Sequence, residues 1–63
     1  DYKNAKTYIE RAIKAGSSGT LYEHLGDIYE AMGEIVNALK NWNEALKLDP
    51  NNKDLVYKIE KYK

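Results

Sequence analysis

His24 is the only histidine of the chain, and Asp1, Glu23 and Asp27 are the acidic residues that could share a ligand set with it. A metal ion needs three or four convergent ligands, and helical spacing brings only His24 and Asp27 to one face. His24 therefore reads as a surface histidine, and neither a metal nor a cofactor is expected. Gly16-Ser17-Ser18-Gly19-Thr20 has the small residues of a phosphate-cradling loop, but it lacks the lysine of a P-loop and follows a helix. It reads as a turn. With no cysteine and no serine on a strained strand-to-helix turn, no nucleophile, base and orienting group can be assembled. No enzymatic activity is expected. The remaining group is Glu23, Asp27 and Glu30, spaced i, i+4, i+7, which forms a carboxylate stripe along one side of a helix. Its chemistry would be recognition of a basic peptide or a lysine-bearing helix, although an ordinary solvated face has the same pattern.

Composition narrows the setting for that stripe. Sixty-three residues make one small domain near the lower limit of independent folding. Ten basic residues balance ten acidic ones, which argues against duplex DNA. No apolar stretch reaches membrane-spanning length. The four acidic residues of segment 17–34 have no basic residue among them, whereas the segments on either end are net basic. Lysines split in this way do not form a nucleic-acid footprint. They could instead neutralise part of the stripe, through Lys58 or Lys61. The chain opens without methionine and in mid-pattern, so an excised or designed segment is expected.

The elements that must carry these residues are all helical. Breaker clusters at Gly16-Ser17-Ser18-Gly19, Gly33 and Asp49-Pro50-Asn51-Asn52 separate four helices: Lys3 to Ala15, Leu21 to Met32, Ile35 to Leu48 and Lys53 to Lys61. Gly16 and Gly33 are expected in left-handed caps. Thr20-x-x-Glu23 reads as a capping box opening the second helix, and Asn51 or Asn52 as the cap of the fourth. Pro50 stops the third.

The chain also repeats itself. Ala5-x3-Ile9-x2-Ala12-Ile13 returns as Ala38-x3-Trp42-x2-Ala45-Leu46 at an offset of 33, and Leu21-Tyr22-x2-Leu25 returns as Leu55-Val56-x2-Ile59 at an offset of 34. On the second helix, Leu21, Leu25, Ile28 and Met32 form one stripe, with Tyr22, Gly26, Tyr29 and Gly33 about 100° away. Two stripes let one helix pack on two sides at once. Ala38 and Ala45 are small where helices approach, Trp42 fills the space between them, and Gly26 permits a close crossing. Glu60 stands at the equivalent of Gly26 on the fourth helix, where a charge opposes another tight crossing.

The run Tyr22-x2-Leu25-Gly26-x2-Tyr29, Ala38-x3-Trp42-x2-Ala45, Pro50, inside the 34 residues from Gly19 to Asn52, resembles the tetratricopeptide repeat. Tyr22 and Trp42 are aromatic-for-aromatic exchanges. The resemblance implies an all-α right-handed superhelix of helical hairpins that serves as a protein–protein interaction scaffold. It divides the chain into the second helix of a preceding repeat (1–16), a full repeat (19–52) and a terminal capping helix (53–63). The whole is similar to the C-terminal end of an array.

In such repeats the first helix lines the ligand-binding face. The resemblance therefore puts Glu23, Asp27 and Glu30 on that face, with Tyr57 and Lys61 from the capping helix beside them, and a protein or peptide as partner, basic rather than acidic. Family members that grip chaperone tails use lysines and asparagines there, and Glu23 and Asp27 would repel an acidic tail. Tyr2, Tyr8, Tyr57 and Tyr62 are candidate anchors for a partner or covers for the ends of a short core. Two further readings stand beside the binding module. One is a structural cap or repeat unit without its own ligand. The other is weak self-association through the first helix, where part of Tyr2, Ile9 or Ile13 would be uncovered, a feature that a missing upstream repeat in a parent protein would equally produce.

Overall fold

A computed structural model describes residues 1–63. Four helices make up the fold: α1 (Tyr2–Ala15), α2 (Gly19–Ala31), α3 (Ile35–Leu48) and α4 (Lys53–Glu60). The class is all-α, as expected, and the ends differ from the sequence reading by two residues at most. Each helix packs on the next in chain order. The Cα envelope is 28 × 25 × 14 Å. Its short axis fits two layers of helices about 8–10 Å apart, so the chain zigzags between layers.

Local chemistry explains the helix ends. Asp1 caps α1, its carboxylate accepting from the Asn4 backbone N–H at 3.2 Å. The cap of α2 is Ser18, whose Oγ accepts from the Leu21 N–H at 3.1 Å. This corrects the Thr20–Glu23 capping box. The helix starts at Gly19, so Thr20 is already inside the first turn, and the Glu23 carboxylate is engaged elsewhere. Gly16 also departs from expectation. Its φ of 173° is extended backbone rather than a left-handed cap, and its N–H closes the α1 terminus on the Ala12 carbonyl at 3.1 Å. Gly33 does take the left-handed form, at φ 79°. There the Gly33 and Glu34 N–H groups return to the carbonyls of Glu30 and Tyr29, both at 2.9 Å, and satisfy the end of α2. Asn52 caps α4 through the Leu55 N–H at 3.2 Å.

The core lies between α2, α3 and α4. Leu25, Ala38, Trp42, Ala45, Leu55 and Ile59 are buried, with Trp42 and Leu55 sealed completely. Tyr22 and Tyr29 are half-buried and pack against this cluster with Leu39 and Leu46. Gly26 is buried directly under the Trp42 indole, where a side chain has no room. The spacing of the small residues therefore has a packing cause: Ala38 and Ala45 flank the indole on α3, and Gly26 receives it on α2. Helix α1 contributes no buried residue. Its Ile9 and Ile13 are half-covered by α2, and Tyr2 and Tyr8 stand in solvent.

Candidate functional site: the carboxylate stripe between α2 and α4

The stripe exists because α2 turns Glu23, Asp27 and Glu30 toward α4. Helix α4 is held over α3 by Leu55 and Ile59, which enter the core. That docking leaves the next positions around α4, Lys58 and Lys61, within reach of the α2 carboxylates. The Lys58 ammonium bridges two of them, at 2.9 Å from Glu23 Oε2 and at 2.9 and 3.1 Å from the two oxygens of Asp27. Asn52 donates to the other Glu23 oxygen at 3.1 Å, so the residue that caps α4 also ties it to α2. Asp27 accepts a further bond at 3.0 Å from the indole N–H of Trp42, joining the stripe to the core.

Further along, Lys61 pairs with Glu30 at 2.9 Å, and the Tyr62 hydroxyl donates to the same Glu30 oxygen. The Tyr62 ring stacks on Trp42, with centroids 6.1 Å apart and planes at 22°. The Lys61 ammonium lies 5.1 Å above the Tyr62 ring. Two polar clusters, Asn52–Glu23–Lys58–Asp27 and Lys61–Glu30–Tyr62, thus make up the strip along the groove, and the Trp42 ring links them by donating to Asp27 and stacking on Tyr62.

These contacts move the protonation equilibria. The Tyr62 hydrogen bond, with Lys61 beside it, holds the Glu30 carboxyl below its ordinary range. Burial alone would push the Lys58 ammonium down, but the hydrogen bonds it donates to Asp27 and Glu23 offset it and leave the pKa raised. Glu30 raises both Lys61 and Tyr62. Every one of these shifts favours the form that pairs across the groove.

Of the residues singled out from the sequence, Glu23, Asp27, Glu30 and Lys61 come together in this strip. Tyr57 does not take part in its bonds and is 71% exposed. His24 points to solvent. Asn52, the Trp42 N–H and Tyr62 belong to the strip but were not singled out for it. Tyr62 carried a usable signal: at the offset of 34 it is the counterpart of Ile28, which places it on the inward stripe with Leu55 and Ile59. Asn52 and the indole N–H carried none, since their partners lie 29 and 15 residues away.

Charge across the groove does not cancel. Glu23, Asp27 and Glu30 on α2 meet only two cations, Lys58 and Lys61, and Lys58 is shared by two carboxylates. The groove remains acidic although most of its charges are paired.

Comparison with curated proteins and with solved structures finds no match. Residues 20–52, more than half of the chain, match the family model described as Tetratricopeptide repeat. That segment contains the α2–α3 hairpin with Gly26 beneath Trp42, together with the turn through Pro50 that leads to α4. Repeats of this kind are non-enzymatic scaffolds that mediate protein–protein interaction. With the packing register and the sequence pattern in agreement over the same residues, the chain belongs to the tetratricopeptide repeat family.

Proposed function

We propose that this chain is a protein-interaction module that takes a lysine- or arginine-bearing peptide along the groove between α2 and α4. The observation carrying the reading is the shared lysine. One ammonium serves both Glu23 and Asp27, so the groove keeps an uncompensated negative charge at its centre. A basic side chain arriving there gains a charge-assisted hydrogen bond with little rearrangement. Tyr57 supplies an exposed ring at the edge of the same face, a suitable anchor for an aliphatic or aromatic neighbour in the peptide.

A second reading has its own support. Lys58, Lys61, Asn52 and Tyr62 already occupy the stripe, which is how a capping helix spanning residues 53–63 would close the groove and keep it soluble. An amide NMR titration with a lysine/arginine-rich peptide pool and an acidic pool, each at low and moderate salt, separates the two. Salt-sensitive shifts at Glu23, Asp27, Glu30 and Tyr57 with the basic pool alone are the expected result. Silence toward both pools sinks the groove reading and leaves the cap.

A further inference from the structure

Every carboxylate oxygen of Glu23 and Asp27 already accepts a hydrogen bond. Glu23 Oε1 accepts from Asn52 and Oε2 from Lys58. Asp27 Oδ1 accepts from both Lys58 and the Trp42 indole, and Oδ2 accepts from Lys58. A basic side chain entering the centre of the groove therefore meets oxygens that have a donor, and must take one over.

The three donors differ in what their departure would break. Asn52 is also the cap of α4, its side-chain oxygen holding the Leu55 N–H. Trp42 is sealed in the core. Lys58 caps nothing and fills no core position. Its ammonium rides on a flexible four-carbon stem, and its side chain is 26% exposed. Lys58 alone can leave while Leu55 and Ile59 keep α4 docked.

Lys58 also has somewhere to go. Asp54 lies four residues earlier on α4, is exposed, and forms no ion pair. An acidic residue four positions before a lysine is the favourable order for pairing along a helix. A swing of the lysine stem exchanges the pair across the groove for one on the same helix, with no change of backbone. The two positions are unequal. Across the groove the ammonium makes three charge-assisted bonds to two part-covered carboxylates, whereas a pair with Asp54 stands in solvent. The free chain therefore holds Lys58 across the groove.

We infer that Lys58 is a built-in competitor for the ligand of this groove: it sits where the ligand's ammonium binds and moves to Asp54 when a peptide lysine takes its place. The inference rests on the groove reading and adds its regulation, because the chain's own lysine sets the threshold for binding. Apparent affinity falls with the fraction of molecules whose binding place is vacant. A lysine seated about nine-tenths of the time therefore weakens a ligand about tenfold.

NMR of the lysine ammonium protons, with a capped hexalysine peptide as ligand, tests this on the unmodified chain. In the free protein the Lys58 ammonium should be protected from exchange with water. Saturating peptide should remove that protection while the Leu55 and Ile59 amides keep their shifts. In peptide titrations at matched salt, Lys58→Met should bind about tenfold more tightly than the parent, and Asp54→Asn about twofold more weakly. Asp54 is exposed and Asp54→Asn keeps the core, so this arm stands whatever Lys58→Met does to folding. Suppose the peptide shifts the Glu23, Asp27 and Glu30 amides but leaves the Lys58 ammonium protected, or binds folded Lys58→Met no more tightly. Either result overturns the competitor and leaves the groove reading standing. A peptide that shifts neither the parent nor the variants overturns both.

Discussion

Substituting Gly26 by alanine sets two effects of opposite sign against each other. In an open helix the change would stabilise by about 1 kcal/mol, because glycine is the weaker helix former. Here a Cβ on Gly26 would fall 3.0 Å from Trp42 Cγ and closer still to Cδ1 and Nε1 of the same ring. The indole has nowhere to go. It is 0% exposed, flanked by Ala38 and Ala45, bonded to Asp27 and stacked on Tyr62. Overpacking of a filled core costs roughly 1–3 kcal/mol, and contacts this short belong at the upper end. The net destabilisation is then about 2 kcal/mol. For a domain of this size that lowers Tm by roughly 8–16 °C. Thermal and urea unfolding followed by circular dichroism at 222 nm would measure it. Gly16→Ala is the control: nothing lies within 4 Å of its Cβ and the backbone is extended, so a gain of about 0.4–1 kcal/mol is expected. Trp42→Leu in the Gly26→Ala background should then cost less than in the parent, a coupling that a double-mutant cycle isolates. A Gly26→Ala protein as stable as the parent would refute the claim that the indole rests on the α2 backbone.

Other expectations concern the caps and the groove. Ser18→Ala should lose about 1 kcal/mol of stability and Thr20→Ala almost none, which urea midpoints would distinguish. Lys58→Met should cost about 1–2 kcal/mol, since it leaves two part-buried carboxylates facing each other, and the loss should grow at low salt. Stability should also depend on pH at both extremes. Glu30 is held low, so its contribution is complete above the ordinary carboxylate pKa of about 4.3 and is lost as acid carries the protein through its folded value. Lys58 and Tyr62 are raised, so theirs hold below about pH 10 and fade as base carries the protein through theirs. Glu30→Gln should flatten the acid limb and Lys58→Met the alkaline limb of a midpoint-versus-pH curve.

Much of the fold was legible because the pattern that sets it is local. Gly26, Ala38, Trp42 and Ala45 read as a crossing from their sizes and spacing alone, and the offset of 34 carried Leu55 and Ile59 into the core by analogy with Leu21 and Leu25. Pro50 and Gly33 gave the turns for steric reasons that need no tertiary context. The caps were less legible. Ser18 and Thr20 both offer a hydroxyl, and the choice depends on where the first turn begins, which the connector after α1 decides. The groove was legible only in outline. Charge by segment suggested that Lys58 or Lys61 would meet the stripe, but how one ammonium divides between Glu23 and Asp27 depends on the height at which α4 docks. No spacing within α2 or α4 encodes that height. Glu23 is instructive, because the same carboxylate could have capped α2 locally and is drawn instead to Asn52 and Lys58.

Trp42 is the only tryptophan among six tyrosines, and its ring is sealed where α2, α3 and α4 meet. The protein therefore carries its own optical probe. Emission from a water-excluded indole is expected at short wavelength, and excited tyrosines across the fold can transfer energy to it. The ring touches Tyr62 on one side and donates to Asp27 on another, so a lifting of the last helix alone would alter its surroundings while α2 and α3 stayed folded. A red shift that precedes the loss of helicity would therefore time the opening of the groove, with no label attached.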